Sequence, residues 1–462
     1  MIKMFRLIEN EFIKSYKKLS TIILFVMVFV ICIGFTALMF FNVEQEKQWL
    51  GDTVIEQPDY DQLISDAELE KYTGYELKIE MFEYMKKHNV MWNWRYEACE
   101  EAFSYETSYA TDEDGNFTDE KTVVYTYDEA TRKEMLSIIE KNDWKAYCQY
   151  MIDSYKKMDT PEDLYWEYQY RIDNNIPFPD GFITNEDYKN ILITDIADAK
   201  EMIAIGTISK EEAEAYKNSV KLGLYRLENN IAVNVADYST EEMPALNIWV
   251  CLTNSPMIIS FIGLLVAVLA GSIIANEFSQ GTIKFLLINP VKRWKILVSK
   301  YITCIVTGYG FILIFYVSTI LLSMLFFGTS DIGADYIKIV NNEIVTTSGL
   351  GYIFKLFMLK SIDVVVSVTL AFAVSSLTKS SGLATGLSVF SLLSGSAIVQ
   401  LLATFKQDWG RYLIWSNTDL KAIAEGNSYY PNHSLGFAII VILVHMLVFG
   451  LVAWDGFTKK EV

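Results

Sequence analysis

Residues 275–294 read "ANEFSQGTIKFLLINPVKRW", with one uncharged apolar run, 250–275, before them and another, 301–327, after. A helix that crosses the hydrocarbon core of a bilayer needs roughly 20 mainly apolar residues at about 1.5 Å rise each. Both runs meet that length, and so do 20–41, 352–377, 382–405 and 435–454. The run 352–377 carries Lys355, Lys360 and Asp363 in its first half, and the last run carries only the neutral His445. Six spans are therefore expected in the 462 residues, which are 52% hydrophobic, too many for an ordinary soluble chain. The run 20–41 exceeds the apolar core of a signal peptide and reads as a retained anchor.

The opening stretch, within the connection 276–300, is more than a tether. Glu277 and Gln280 are polar, and Gly281 can end or bend a helix. Ile283, Leu286 and Leu287 share one helical face, and Asn289 before Pro290 stops one helix and caps the next. The spacing predicts a short amphipathic helix between two longer ones, with Lys292, Arg293 and Lys295 beside lipid headgroups. Such a piece is a handle on which another protein can push.

Basic residues set the orientation. Lys3, Arg6, Lys14, Lys17 and Lys18 lie in the leader 1–19, Lys284, Lys292, Arg293, Lys295 and Lys300 in 276–300, Lys379 in the turn 378–381, and Lys459 and Lys460 in the tail 455–462. The opposite connections, 328–351 and 406–434, hold only Lys338, Lys406, Arg411 and Lys421. Both termini are expected in the cytoplasm, with 42–249 outside. The net charge of −18 divides into −25 in that outer segment and +7 elsewhere, and a solvated acidic surface explains the outer balance more simply than a device for attracting cations.

A segment as long as 42–249 must be a folded domain. Ser65 with Glu68, Thr160 with Pro161 and Asp163, Ser209 with Glu212, and Ser239 with Glu242 have the spacing of helix-start caps. Residues 103–127 alternate around an Asp-Gly turn and predict a hairpin. The fold expected is an α-helical polytopic membrane protein, with six transmembrane helices and a mainly helical extracellular domain containing a small β-hairpin. "YRIDNNI" at 170–176 returns as "YRLENNI" at 225–231, either two similar helix stops or a trace of duplication.

Five cysteines form no framework: Cys32, Cys251 and Cys304 fall in spans as small apolar fillers, while Cys99 and Cys148 could pair or stay free. No GxxxxGK[ST] loop is present, and His88, His433 and His445 share no metal-ligand spacing. Catalysis, a bound cofactor or metal, and nucleic-acid binding are not expected of this chain.

The stretch 276–301, "NEFSQGTIKFLLINPVKRWKILVSKY", resembles the signature of type-2 ATP-binding-cassette (ABC) exporter permeases. The matching residues are Glu277, Gly281, Thr282, Leu286, Leu287, Pro290, Arg293 and Lys300. The leader 5–20, "FRLIENEFIKSYKKLS", is similar to that family's interfacial elbow helix and includes Glu11, Lys14, Lys17 and Lys18. The resemblance covers the membrane part alone.

It implies two permease subunits, alike or different, surrounded by membrane lipid, and separate cytoplasmic ATPase subunits that bind ATP and Mg²⁺. It implies a coupling interface of Glu277, Gly281, Thr282, Ile283, Phe285, Leu286, Leu287, Pro290 and Arg293, in the cytoplasmic membrane of a bacterium. Lys360 and Asp363, one turn apart, are either pathway residues or a self-neutralising pair. By analogy 406–434 can be re-entrant. The alternative function is a sensor of extracellular ligand, or an immunity component of an ABC-type complex. The substrate stays open among cationic peptide, lipid, drug and ion.

Overall fold

The computed structural model describes residues 2–52, 58–70, 74–111, 117–179, 187–239, 247–281, 292–378, 380–424, 426 and 428–459. The chain divides into two compact units, one of residues 1–45, 233–337 and 346–462 and one of residues 46–232 and 338–345. Helix α1 (Ile2–Tyr16) breaks at Lys17 and Lys18 before α2 (Leu19–Asp52). The span expected to end at 41 continues, because "NVEQEKQWL" is rich in straight-chain helix formers and contains no Gly or Pro.

The second unit is mainly helical and contains a β-hairpin. Its elements are α3 (Tyr60–Glu70), α4 (Tyr75–Lys87), α5 (Trp94–Ala102), β1 (Tyr105–Thr111), β2 (Phe117–Tyr125), α6 (Glu129–Lys141), α7 (Trp144–Lys157), α8 (Trp166–Asn174), α9 (Tyr188–Ile205) and α10 (Lys210–Glu228). The strands pair antiparallel, Tyr105 opposite Tyr125, as the alternation predicts, although the turn itself lies outside the described residues. Ser209 and Glu212 form the expected reciprocal capping box at the start of α10.

Two expected helix starts are corrected. Ser65 lies inside α3, whose first turn is held by Asp59 Oδ1 accepting from the Gln62 N–H. Thr160 instead donates its hydroxyl back to the Tyr155 carbonyl, closing α7, and only a 3-10 turn (Glu162–Leu164) follows Pro161. Glu242 lies outside the described residues.

The repeated heptapeptide is one device used twice. Asn175 and Asn230 take left-handed backbone, and the N–H of Ile176 or Ile231 donates to the carbonyl of Arg171 or Arg226. Each arginine is buried and donates to a carbonyl six residues on, Pro177 for Arg171 and Ala232 for Arg226. A buried guanidinium with several donors fastens the exiting chain to the helix it has just left.

The chain continues with α11 (Ile248–Asn254), a 3-10 turn (Ser255–Ile258), α12 (Ile259–Ser279), α13 (Arg293–Phe327), strands β3 (Asp335–Val340) and β4 (Glu343–Ser348), α14 (Gly349–Leu377), α15 (Ser381–Thr404), α16 (Leu420–Ala424) and α17 (Leu435–Thr458), all in the membrane unit except residues 338–345 of the two strands and their turn. Six helical segments among the described residues are long and apolar enough to cross a membrane: Leu19–Gln45, Ile248–Ser279, Arg293–Phe327, Gly349–Leu377, Ser381–Thr404 and Leu435–Thr458. The protein is multi-pass. The second segment is not one smooth helix, since Pro256 lacks an N–H and opens the 3-10 turn. The β3–β4 hairpin was not foreseen in 328–351. Asn341 and Asn342, both with positive φ, make its two-residue turn.

Small residues bring the spans together. A Cβ added to Gly308 would meet Val364 at 2.7 Å, one on Gly271 would meet the Thr385 backbone at 3.1 Å, and one on Gly456 would meet the Ser376 hydroxyl at 2.9 Å. Helices in lipid gain little from hydrophobicity and associate through close packing of this kind. At one end of the bundle the wholly buried Trp249 donates its indole N–H to the Asp331 carbonyl at 2.7 Å.

All five cysteines are free and buried, so the bridge considered for Cys99 and Cys148 is not formed. Each fills space on its own helix, α5 or α7, and burial pushes both thiols up to about 12. Thiolate is the reactive form. We expect Cys99 and Cys148 to resist maleimide in the folded protein and to react fully in denaturant. Labelling at the speed of a free thiol, or a mobility shift on reduction, would contradict this burial.

Candidate functional site

Three helices of the membrane unit converge on one ammonium group. Lys300 lies two turns inside α13 and is almost wholly buried, at 1% exposure. Its Nζ donates to Glu11 Oε2 at 2.8 Å and to Glu277 Oε1 at 3.0 Å. Glu11 belongs to α1 and is itself buried, and Glu277 sits in the last turn of α12. The elbow, the end of the second span and the start of the third are thus joined through a single cation. Lys14 adds a longer contact, 3.9 Å from Glu11 Oε1, while Lys17 and Lys18 are exposed.

The ends of the connection are shaped locally. Gly281 has φ of 70°, and a Cβ there would meet nothing within 4 Å. Glycine is therefore demanded by the backbone conformation rather than by crowding. Arg293 opens α13 and donates from Nη1 to the Thr458 carbonyl at the end of α17. Trp294 stacks on Trp454 beside it, with ring centroids 6.3 Å apart. Of the predicted coupling residues, Thr282, Ile283, Phe285, Leu286, Leu287 and Pro290 lie outside the described residues. Glu277, Gly281 and Arg293 flank them. Lys300 is the centre that the interface reading left out, although the motif that carries the resemblance already contained it.

Removing one partner of a buried ion pair strands the other in a medium that solvates it poorly, at a cost of about 3–5 kcal/mol. Lys300→Met leaves two carboxylates facing each other and is expected to lower thermal stability in detergent by that order. A second change, Glu277→Gln, should return part of the loss. Independent, additive effects of the two substitutions would rule out the shared cation.

Lys360 and Asp363 form a second polar cluster on α14. Lys360 Nζ binds Asp419 Oδ2 at 2.7 Å more closely than Asp363 Oδ2 at 3.9 Å, and Asp363 Oδ2 accepts from the Ser260 hydroxyl at 2.7 Å. The pair does not neutralise itself alone. Asp419, immediately before α16, folds onto the span and takes the closer place, and sequence spacing could not reveal that.

The connection between α15 and α17 is ordered around His433. The Asn417 amide donates to the carbonyls of Arg411 and Leu413, which leaves Asn417 Oδ1 to accept from His433 Nε2 at 2.8 Å. The ring is therefore the Nε2–H tautomer, with Nδ1 at 2.8 Å from the Ser428 hydroxyl. Burial, and then the Arg411 guanidinium, lowers the His433 pKa. The unfolded chain thus takes up a proton first as pH falls. The stability this neutral ring contributes is full above about pH 6.5 and is lost as pH falls below it. Between pH 7.5 and 5.5 the wild-type melting temperature should drop further than that of His433→Gln. Equal drops would refute the assignment.

Among the described residues no group of three or more His, Cys, Asp or Glu side chains could hold a metal. Residues 220–462 match the family model described as "Protein of unknown function (DUF2705)". Two proteins of Bacillus subtilis (strain 168) are similar. "Uncharacterized protein YhcI" is 30% identical over 251 residues, covering 54% of this chain and 77% of its own length. "Uncharacterized membrane protein YdbK" is 31% identical over 212 residues, covering 46% of this chain and 82% of its own. No solved structure matches the chain. Glu277, Lys300, Lys360 and His433 fall within the family match, and Glu11 precedes it.

Proposed function

The chain belongs to the DUF2705 family of membrane proteins, and we propose that it is the permease subunit of an ABC exporter, driven by a separate cytoplasmic ATPase. The observation that carries this reading is the buried Glu11–Lys300–Glu277 triad. Two of its members, Glu277 and Lys300, bracket the Gly-Thr connection that resembles the exporter signature, and the third comes from the elbow-like leader. A push on the connection 282–291 reaches α12 through the Gly281 bend and α13 through Arg293. The triad makes α1, α12 and α13 respond together, and the Arg293 bond to Thr458 extends the response to α17.

In this reading both termini and the connection face the cytoplasm, as the basic residues of the leader and connection favour. The acidic unit of residues 46–232 faces outward. ATP and Mg²⁺ belong to the partner, and two permease subunits enclose the path. Lys360, Asp363 and Asp419 stand along the bundle as polar groups available to a passing solute.

Copurification from the native membrane should recover a nucleotide-binding subunit, and the reconstituted complex should drive ATP-dependent efflux of compounds to which a deletion strain is hypersensitive. Gly281→Val forces a β-branched residue into left-handed backbone, costing about 1–3 kcal/mol at the bend. It should leave the partner bound and ATP hydrolysis running while efflux falls. A connection that reacts with membrane-impermeant reagents from the outside would end the proposal. A bound ATPase partner without any ATP-dependent efflux would favour the sensing role.

A further inference from the structure

A small cavity of about 40 Å³, lined by polar and apolar side chains alike, lies where α1 gives way to α2. Lys18, Ser20 and Thr21 line it from the break, Ser272 and Asn276 from α12, and Thr303 from α13. Two of these hydroxyls are already committed. Ser272 donates to the Leu269 carbonyl and Thr303 to the Ser299 carbonyl, each within its own helix. Thr21 is different, because it is 1% exposed and its Oγ1 is buried with no hydrogen-bond partner. A buried hydroxyl left unpaired costs stability unless a ligand or solvent completes it.

The groups left to act on the cavity can all donate: the Thr21 and Ser20 hydroxyls and the Asn276 amide, which can also accept, and the Lys18 ammonium, which cannot. The start of α2 adds partial positive charge, although the Thr21 and Ile22 N–H groups already donate to the Lys18 carbonyl. The carboxylates nearby are occupied. Glu11 and Glu277 share Lys300, and Lys14 lies 3.9 Å from Glu11, so four charges balance and Lys17 and Lys18 remain in excess. Donors converging on a net positive, partly buried site select an oxyanion with several acceptor oxygens. The start of the first span is also where a bilayer places its headgroups.

We propose that this cavity binds a phosphate group, carried by a lipid headgroup or free, and that Thr21 and Lys18 are its recognition residues. The site requires only that the chain is embedded in a membrane, so it stands or falls apart from the transport reading.

The test uses the full chain, delipidated in neutral detergent, with thermal stability followed as three probes are titrated: phosphatidylglycerol micelles, inorganic phosphate, and a glucosyl diacylglycerol that lacks phosphate. Phosphatidylglycerol or inorganic phosphate should raise the melting temperature saturably, and the glycolipid should not. Thr21→Val removes the hydroxyl at constant volume and should weaken half-saturation by roughly tenfold or more, the usual loss for a hydrogen bond to a charged group, while Thr21→Ser restores it. Lys18→Gln, at an exposed position, supplies a second variant and should weaken binding too. Protection by the lipid alone assigns the headgroup, and protection by inorganic phosphate as well assigns the free ion. Equal protection by the glycolipid, or half-saturation unchanged in both Thr21→Val and Lys18→Gln, would overturn the proposal.

Discussion

A lysine cannot be carried into a membrane bundle as a bare cation. The cost of removing an ammonium group from water is several kcal/mol even after relaxation, and it is recovered only with close opposite charge and good hydrogen-bond geometry. Lys300 meets that requirement with two carboxylates, and their origins in α1 and α12 are what organise this end of the molecule. Because neither glutamate can leave without stranding the ammonium, the relative placement of three helices is specified more sharply than apolar packing alone would specify it.

Away from this centre the membrane unit is held by shape. Gly308 against Val364 and Gly456 against Ser376 let helix backbones approach, and many serine and threonine hydroxyls return to the carbonyls of their own helices. Such hydroxyls satisfy themselves and leave the surface of the helix free to pack. Polar groups that cross between elements include Lys360 to Asp419, Ser260 to Asp363, Tyr301 to Thr369, and His433 to Asn417. The last two spans expose most of their large apolar side chains, as helices facing lipid do.

The second unit uses the opposite economy. Its core is aromatic and aliphatic, with Trp94, Tyr147 and Phe82 among the residues buried in it, and two buried arginines tie helix ends to the chain that follows. Local signals were legible where one residue decides the geometry. Ser209 with Glu212 announced α10, and Asn-Asn announced both helix stops. They misled where the same residue types had another use. Ser65 shows a cap-like spacing inside a helix that had already begun, and Thr160 bonds backward to Tyr155.

Sequence alone determined that six apolar helices exist and roughly where each one lies, because crossing length and the exclusion of charge are properties of a single segment. It also determined that the 276–300 connection would hold polar and turn-forming residues, since Glu277, Gly281 and Lys300 stand out against apolar surroundings. Only the tertiary structure decided that Lys300 would meet Glu11 across 289 positions of chain, that Asp419 would take Lys360 from its neighbour Asp363, and that Thr21 would face a cavity. The reason is physical. Helix formation and membrane insertion depend on residues within a few turns, whereas the pairing of buried charge depends on which distant helix packs alongside, and no local pattern carries that information.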